Sequence, residues 1–153
     1  MLGSDFCHPM LIVAKRKSVA PFFEADALSL PLASASVDLI TVAFGFRNLA
    51  NYEAGLVELK RSLRPGGTLA ILEFSQPPNP AFRSLYGFYS SQVLPRIGSL
   101  ISGSKDAYTY LPESVRKFPD AEGLAAKMKN AGYRDVSFEL FTFGIVALHL
   151  GIA

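Results

Sequence analysis

The stretch Val37-Asp-Leu-Ile-Thr-Val-Ala-Phe-Gly-Phe-Arg-Asn48 constrains the fold more than any other part of the chain. Leu39, Ile40, Val42 and Phe44 form an apolar run with β-branched members. The run is too short for a typical helix and reads as a buried strand over Val37–Phe44. Gly45 permits a sharp turn at the end of that strand. Phe46, Arg47 and Asn48 follow where the chain leaves it. In an open α/β sheet, ligands sit outside the carboxyl ends of the strands, which makes Arg47 and Asn48 candidate functional residues. Taken alone, the segment is more readily read as an ordinary turn with a solvated arginine, since strand-end arginines are common.

The rest of the chain alternates strands and helices. Gly3-Ser4-Asp5-Phe6 reads as a strand end turning into a helix. Pro9 suits the first turn of that helix, and Met10 to Lys17 continue it to a basic C-terminal end. Phe22 to Asp26 reads as a second short strand ending in a carboxylate, and Ala27 to Ser36 as a loop. Tyr52 to Leu63 is a helix with Leu56, Leu59 and Leu63 on one face. Arg64-Pro65-Gly66-Gly67 ends it. Thr68 to Phe74 is nearly all apolar, the pattern of a strand covered on both faces. After a proline-rich break at Ser75–Pro80, residues 81–110 are aromatic and serine-rich, with a helix over Phe82 to Leu94. Pro119 and Asp120 open a last helix, Ala121 to Ala131, closed by Gly132. Val136–Phe141 and Ile145–Ile152 read as two buried strands. The short link Thr142-Phe143-Gly144 makes them an antiparallel pair. The expected architecture is one α/β domain with a mainly parallel sheet and a C-terminal antiparallel hairpin.

Composition narrows the function. A chain of 153 residues, half of them hydrophobic, can bury a real core. Fifteen basic residues against thirteen acidic leave a net charge of +2, and there is no long basic run, so nucleic acid is not an expected partner. Cys7 is the only cysteine, which excludes an intrachain disulfide and a cysteine-rich zinc site and fits a reducing, cytoplasmic setting. No metal site is expected. The apolar tail Phe138–Ala153 is shorter than a membrane span and contains Glu139 and His149.

Asp5 and Asp26 each end a strand, Ala27 follows Asp26, and Pro65-Gly66-Gly67 joins a helix to a strand. In this arrangement the chain resembles a class I S-adenosylmethionine-dependent methyltransferase, a Rossmann-like fold. The resemblance implies that Asp5 takes the ribose hydroxyls of the cofactor, a role suited to a carboxylate. It places Asp26 and Ala27 beside the adenine, and Ala43 near the cofactor where many members carry a serine. A narrower resemblance rests on several motifs. These are Arg61-Ser-Leu-Arg-Pro-Gly-Gly-Thr-Leu-Ala-Ile-Leu-Glu73-Phe-Ser75, Phe44-Gly45-Phe46-Arg47-Asn48, Val93-Leu94-Pro95-Arg96-Ile97-Gly98, Tyr108-Thr-Tyr110-Leu111 to Ser114-Val115, and Val146-Ala147-Leu148-His149. In these the chain is similar to the ubiquinone/menaquinone biosynthesis C-methyltransferases.

That resemblance implies S-adenosyl-L-methionine as cofactor and C-methylation of a polyprenylated quinol, either demethylmenaquinol or a methoxy-polyprenyl-benzoquinol. Arg47 would stabilise a developing oxyanion and Asn48 would bond a ring oxygen. Residues 81–110 would form a substrate-side lid. His149 is a conceivable base, although a histidine in a late strand is more often structural. The substrate suggests a peripheral membrane contact, and a homodimer is compatible with the sequence. Two other readings stay open: a methyltransferase for another small molecule, and a non-catalytic chain that binds a quinone or a partner. The family's first strand and glycine-rich loop have no counterpart here, so the chain reads as N-terminally truncated. In this fold that strand lies between those ending at Asp5 and Phe44. The expectation is that both are left with unpaired edges, filled by a longer natural chain, by another chain, or by direct pairing.

Overall fold

A computed structural model describes residues 1–93 and 113–153. The motif residues Leu94 to Gly98 and Tyr108 to Leu111, and residues 94–110 of the expected lid, lie outside these. The described elements are β1 (Gly3–Asp5), α1 (His8–Lys17), β2 (Phe22–Glu24), β3 (Val37–Ala43), α2 (Tyr52–Ser62), β4 (Leu63–Phe74), α3 (Pro80–Phe88), α4 (Ala121–Asn130), β5 (Arg134–Phe141) and β6 (Val146–Ile152). A 3-10 turn spans Phe46–Asn48, and a short helix spans 113–117.

Side-chain caps start three of the helices. Asn51 accepts from the Ala54 amide, Asn79 from Ala81 and Phe82, and Asp120 from Gly123. Each satisfies amides that have no partner inside the helix. α4 is capped at Ala131, and Gly132 follows at φ +86°, a left-handed position that glycine fills without strain.

The strands form two sheets. β1 and β2 pair in parallel, and the larger sheet has the order β3–β4–β6–β5. β3 and β4 are parallel; β6 is antiparallel to both β4 and β5. The C-terminal antiparallel hairpin is as expected, but the single, mainly parallel sheet is not: the larger sheet is mixed, with one parallel and two antiparallel pairings, because β6 returns antiparallel beside β4. Direct pairing of β1 with β3 does not occur: among the described residues β1 pairs only with β2, and β3 only with β4. Each therefore keeps one row of backbone groups without a strand partner.

Several expectations need correction. The second strand stops at Glu24, so Asp26 lies beyond it in the following turn. β4 begins at Leu63, because Val37 pairs there before the register shifts and resumes at Thr68. The Arg64–Gly67 segment is thus a bulged part of the strand rather than a free turn, with the Gly66 amide bonded to Ala153 O at 3.1 Å. The helix expected over Phe82–Leu94 starts at Pro80 and gives way to a π turn at Tyr89–Val93. β4 is not covered on both faces. Leu69 and Ile71 are fully buried, whereas Ala70 and Leu72 between them are half-buried. β5 is an edge strand, largely exposed rather than buried.

The core lies on one side of the larger sheet. Leu56 and Leu59 of α2, Leu124 and Met128 of α4, and Leu69 and Ile71 of β4 form one buried cluster, which Phe46 and Phe118 extend. The Tyr133 hydroxyl enters it and donates to Leu56 O at 3.0 Å, so the one polar atom of that ring has a partner.

His149 belongs to this layer. It is buried, and its Nε2 donates to Ala121 O at 2.9 Å, tying β6 to the start of α4. Burial pushes its pKa below the ordinary value of 6.5, against a smaller upward pull from the Ala121 carbonyl. The folded state therefore favours neutral imidazole, while the unfolded chain binds a proton near the ordinary value. The unfolded state holds more protons in that window, so stability is full above it and falls as pH drops through about 6.5. Chemical-denaturation midpoints at pH 7.5 and 5.5 check this: the slope should flatten in His149→Gln, and an unchanged slope there would assign it to other groups.

Candidate active site

The site forms at the C-terminal ends of β3 and β4. Ala43 is the exposed last residue of β3. The chain then turns sharply, but not where the sequence suggested. Gly45 has φ −122°, an ordinary value, and the left-handed residue is Phe44 at φ +55°. A bulky side chain in that region is strained and persists only where its surroundings hold it. Here they do: the Phe44 amide donates to Leu72 O at 2.9 Å, its carbonyl accepts from Arg47 Nη1, and its ring lies 5.0 Å from that of Phe74.

This turn delivers Arg47 onto the end of β4. Its side chain is 10% exposed, and that of Glu73 beside it is 1% exposed. Arg47 Nη1 donates to Glu73 Oε1 at 2.9 Å, the Arg47 amide to Glu73 Oε2 at 3.2 Å, and Arg47 Nε to Ser114 Oγ at 3.3 Å. The guanidinium also sits 5.3 Å from the centre of the Phe74 ring, an attractive cation–π placement. Arg47 is not the solvated cation that its segment alone allows. It is a desolvated charge at the mouth of the sheet, where electrostatic interactions are stronger than in water. Nη2 makes no hydrogen bond among the described residues. Asn48 is exposed beside it, its amide bonded to Gly45 O at 3.1 Å.

The aspartates stand at the ends of the other parallel pair. Asp5 closes β1, and its Oδ1 accepts from the Cys7 amide at 2.8 Å. Asp26 follows β2, and its Oδ1 accepts from the Leu28 amide at 2.9 Å. Both are exposed, and among the described residues the second oxygen of each makes no hydrogen bond. That arrangement fits a polyhydroxylated ligand: one oxygen holds the loop and the other remains to accept. Ala27 is half-buried within the same turn. No hydrogen bond or ion pair joins Asp5 or Asp26 to Arg47, so the structure assembles two separate groups of site residues, one on each sheet.

Sequence reasoning attached no role to Glu73, although a signal was present. Glu73 continues the buried alternation of Leu69 and Ile71, and a carboxylate in such a row requires a partner. Ser114 carried no comparable signal.

The fold is that of the S-adenosylmethionine-dependent methyltransferases. A methyltransferase structure from Archaeoglobus fulgidus superposes with a TM-score of 0.70 at 11% identity, over 99% of this chain and 75% of that one. One from Aquifex aeolicus does so with a TM-score of 0.63 at 19% identity, over 99% and 66%. The chain belongs to the ubiE/COQ5 methyltransferase family, whose model matches residues 1–153. The demethylmenaquinone methyltransferase of Thermus thermophilus is 51% identical over 99% of this chain and 70% of its own length. That of Deinococcus radiodurans is 47% identical over 99% and 64%. The ubiquinone/menaquinone biosynthesis C-methyltransferase UbiE of Dinoroseobacter shibae is 41% identical over 96% and 62%. The chain thus spans 62–70% of the length of these relatives.

Proposed function

We propose that the protein methylates a ring carbon of a polyprenylated quinol, with S-adenosylmethionine as methyl donor, in menaquinone or ubiquinone biosynthesis. The observation that carries this reading is the desolvated Arg47, held at the strand ends where ligands of this fold bind. A quinol carbon becomes nucleophilic when a neighbouring hydroxyl loses its proton and pushes charge into the ring. An always-charged guanidinium with fixed donors favours that oxyanion. Asn48 would bond a second ring oxygen and orient the ring. Asp5, with Asp26 and Ala27, would hold the ribose and adenine of the donor, and Ala43 would pack near it. The bound donor supplies an electrophilic methyl on sulfur. With the donor held by Asp5 and Asp26 and the ring by Arg47 and Asn48, the ring carbon would take the methyl as the sulfur–methyl bond breaks, and the proton on that carbon would then pass to solvent.

Membrane contact follows from the prenyl tail. No helix among the described residues is long and apolar enough to cross a membrane; the contact proposed here is peripheral. We also propose that a further strand, with a glycine-rich loop, lies between β1 and β3 in the active enzyme, since both have an edge without a strand partner. The test is methyl transfer by the enzyme with that strand restored, assayed on prenylated quinols of different head groups. Transfer to carbon of demethylmenaquinol or the methoxy quinol supports the reading. Transfer only to unrelated small molecules, or none with the donor bound, overturns it.

A further inference from the structure

Glu73 is the only acidic residue in the buried alternating row of β4, which runs Leu69, Ile71, Glu73. Burying a carboxylate is costly, and a well-packed apolar residue would serve the core as well or better. Its placement needs another reason, and its hydrogen bonds supply one. Oε1 accepts from the Phe74 amide at 2.8 Å, which fixes the carboxylate on its own strand. The same oxygen accepts from Arg47 Nη1, and Oε2 accepts from the Arg47 amide. One carboxylate therefore grips Arg47 at both ends, backbone and guanidinium. A surface salt bridge holds only the head of a flexible side chain; this grip fixes the turn and the rotamer together. Ser114 on Nε and the Phe74 ring complete the cradle. Nη1 and Nε are thereby committed, and the Nη2 edge is left for a ligand.

We propose that Glu73 is the positioning residue for Arg47, setting the guanidinium so that Nη2 meets the quinol oxygen. This rests on the reading of Arg47 given above. The test measures kcat and KM for both substrates in Glu73→Gln, in Arg47→Ala and in the double variant, with thermal midpoints to confirm folding. Misplacement of the guanidinium should lower kcat in Glu73→Gln by about 10- to 100-fold, with KM for the methyl donor within about twofold. In the Arg47→Ala background, Glu73→Gln should then add no further loss, because its effect passes through Arg47. A folded Glu73→Gln with normal kcat overturns the proposal, and so does an equal loss in both backgrounds. Normal kcat in Arg47→Ala instead overturns the reading of Arg47 itself, a separable result. Should Glu73→Gln not fold, Glu73→Asp keeps the charge but shortens the reach. It should also lose kcat, and normal turnover there would equally overturn the proposal.

Discussion

Arg47→Ala is expected to lower turnover by about 100- to 1000-fold, the usual loss when one donor to a developing oxyanion is removed. Affinity for the methyl donor should stay near that of the parent, since no hydrogen bond or ion pair connects Arg47 to Asp5 or Asp26. The same change strips a buried carboxylate of its countercharge. Glu73 would be left without its ion-pair partner at 1% exposure, and breaking such a pair by removing one member costs about 3–5 kcal/mol. Loss of activity must therefore be separated from loss of fold. Arg47→Lys does so: it keeps the positive charge but cannot reproduce the fork that reaches Glu73, Ser114 and a ligand together. It should fold and still turn over far more slowly than the parent. Steady-state kinetics at a temperature where circular dichroism shows both variants folded checks this. Parent-like turnover in a folded variant would remove Arg47 from the chemistry.

The second large effect concerns the core. Leu56 has no exposed surface and sits in the cluster shared by α2, α4 and β4, while its carbonyl anchors Tyr133. Leu56→Ala removes buried atoms and leaves a cavity lined by residues that cannot all collapse into it. The expected cost is about 3–5 kcal/mol. Domains of this size are stable by only about 5–15 kcal/mol, so much of the total is lost. Val57, one residue on, points outward at 58% exposure, and Val57→Ala should change stability little. Urea midpoints of the two variants make the comparison, and similar losses in both would contradict the assigned facing of α2.

The spacing of Leu56 and Leu59 was legible because burial on one helix face imposes its own period, whereas Leu63, read with them, is the first residue of β4. The Asp120 start and Gly132 stop of α4 were legible because capping chemistry is local. Asp5 was legible as a strand end, whereas Asp26, read the same way, lies in the turn beyond Glu24. What escaped depended on contacts distant in sequence. Gly45 was the natural candidate for the sharp turn, yet Phe44 adopts the left-handed backbone, because Leu72, Phe74 and Arg47 hold it there. Neither the 26-residue separation of Arg47 and Glu73 nor the 67-residue separation of Arg47 and Ser114 leaves a local trace. The Pro-Gly-Gly segment looked like a helix stop and is drawn into β4 by pairing with Val37 and by the Gly66 bond to Ala153. The strand-order gap was foreseen from the family pattern; that β1 and β3 do not pair with each other had to be seen.

If these parallel strand ends form an S-adenosylmethionine site serving a methyl transfer, the chain must bind that donor through Asp5. Isothermal titration tests it most directly, with S-adenosylmethionine added to the enzyme carrying a strand between β1 and β3, and to its Asp5→Ala variant. One-to-one binding is expected, weakened in the variant by about 10- to 100-fold through loss of charge-assisted hydrogen bonds to the ribose. Absence of binding by the folded protein, or binding that is indifferent to Asp5, would contradict it.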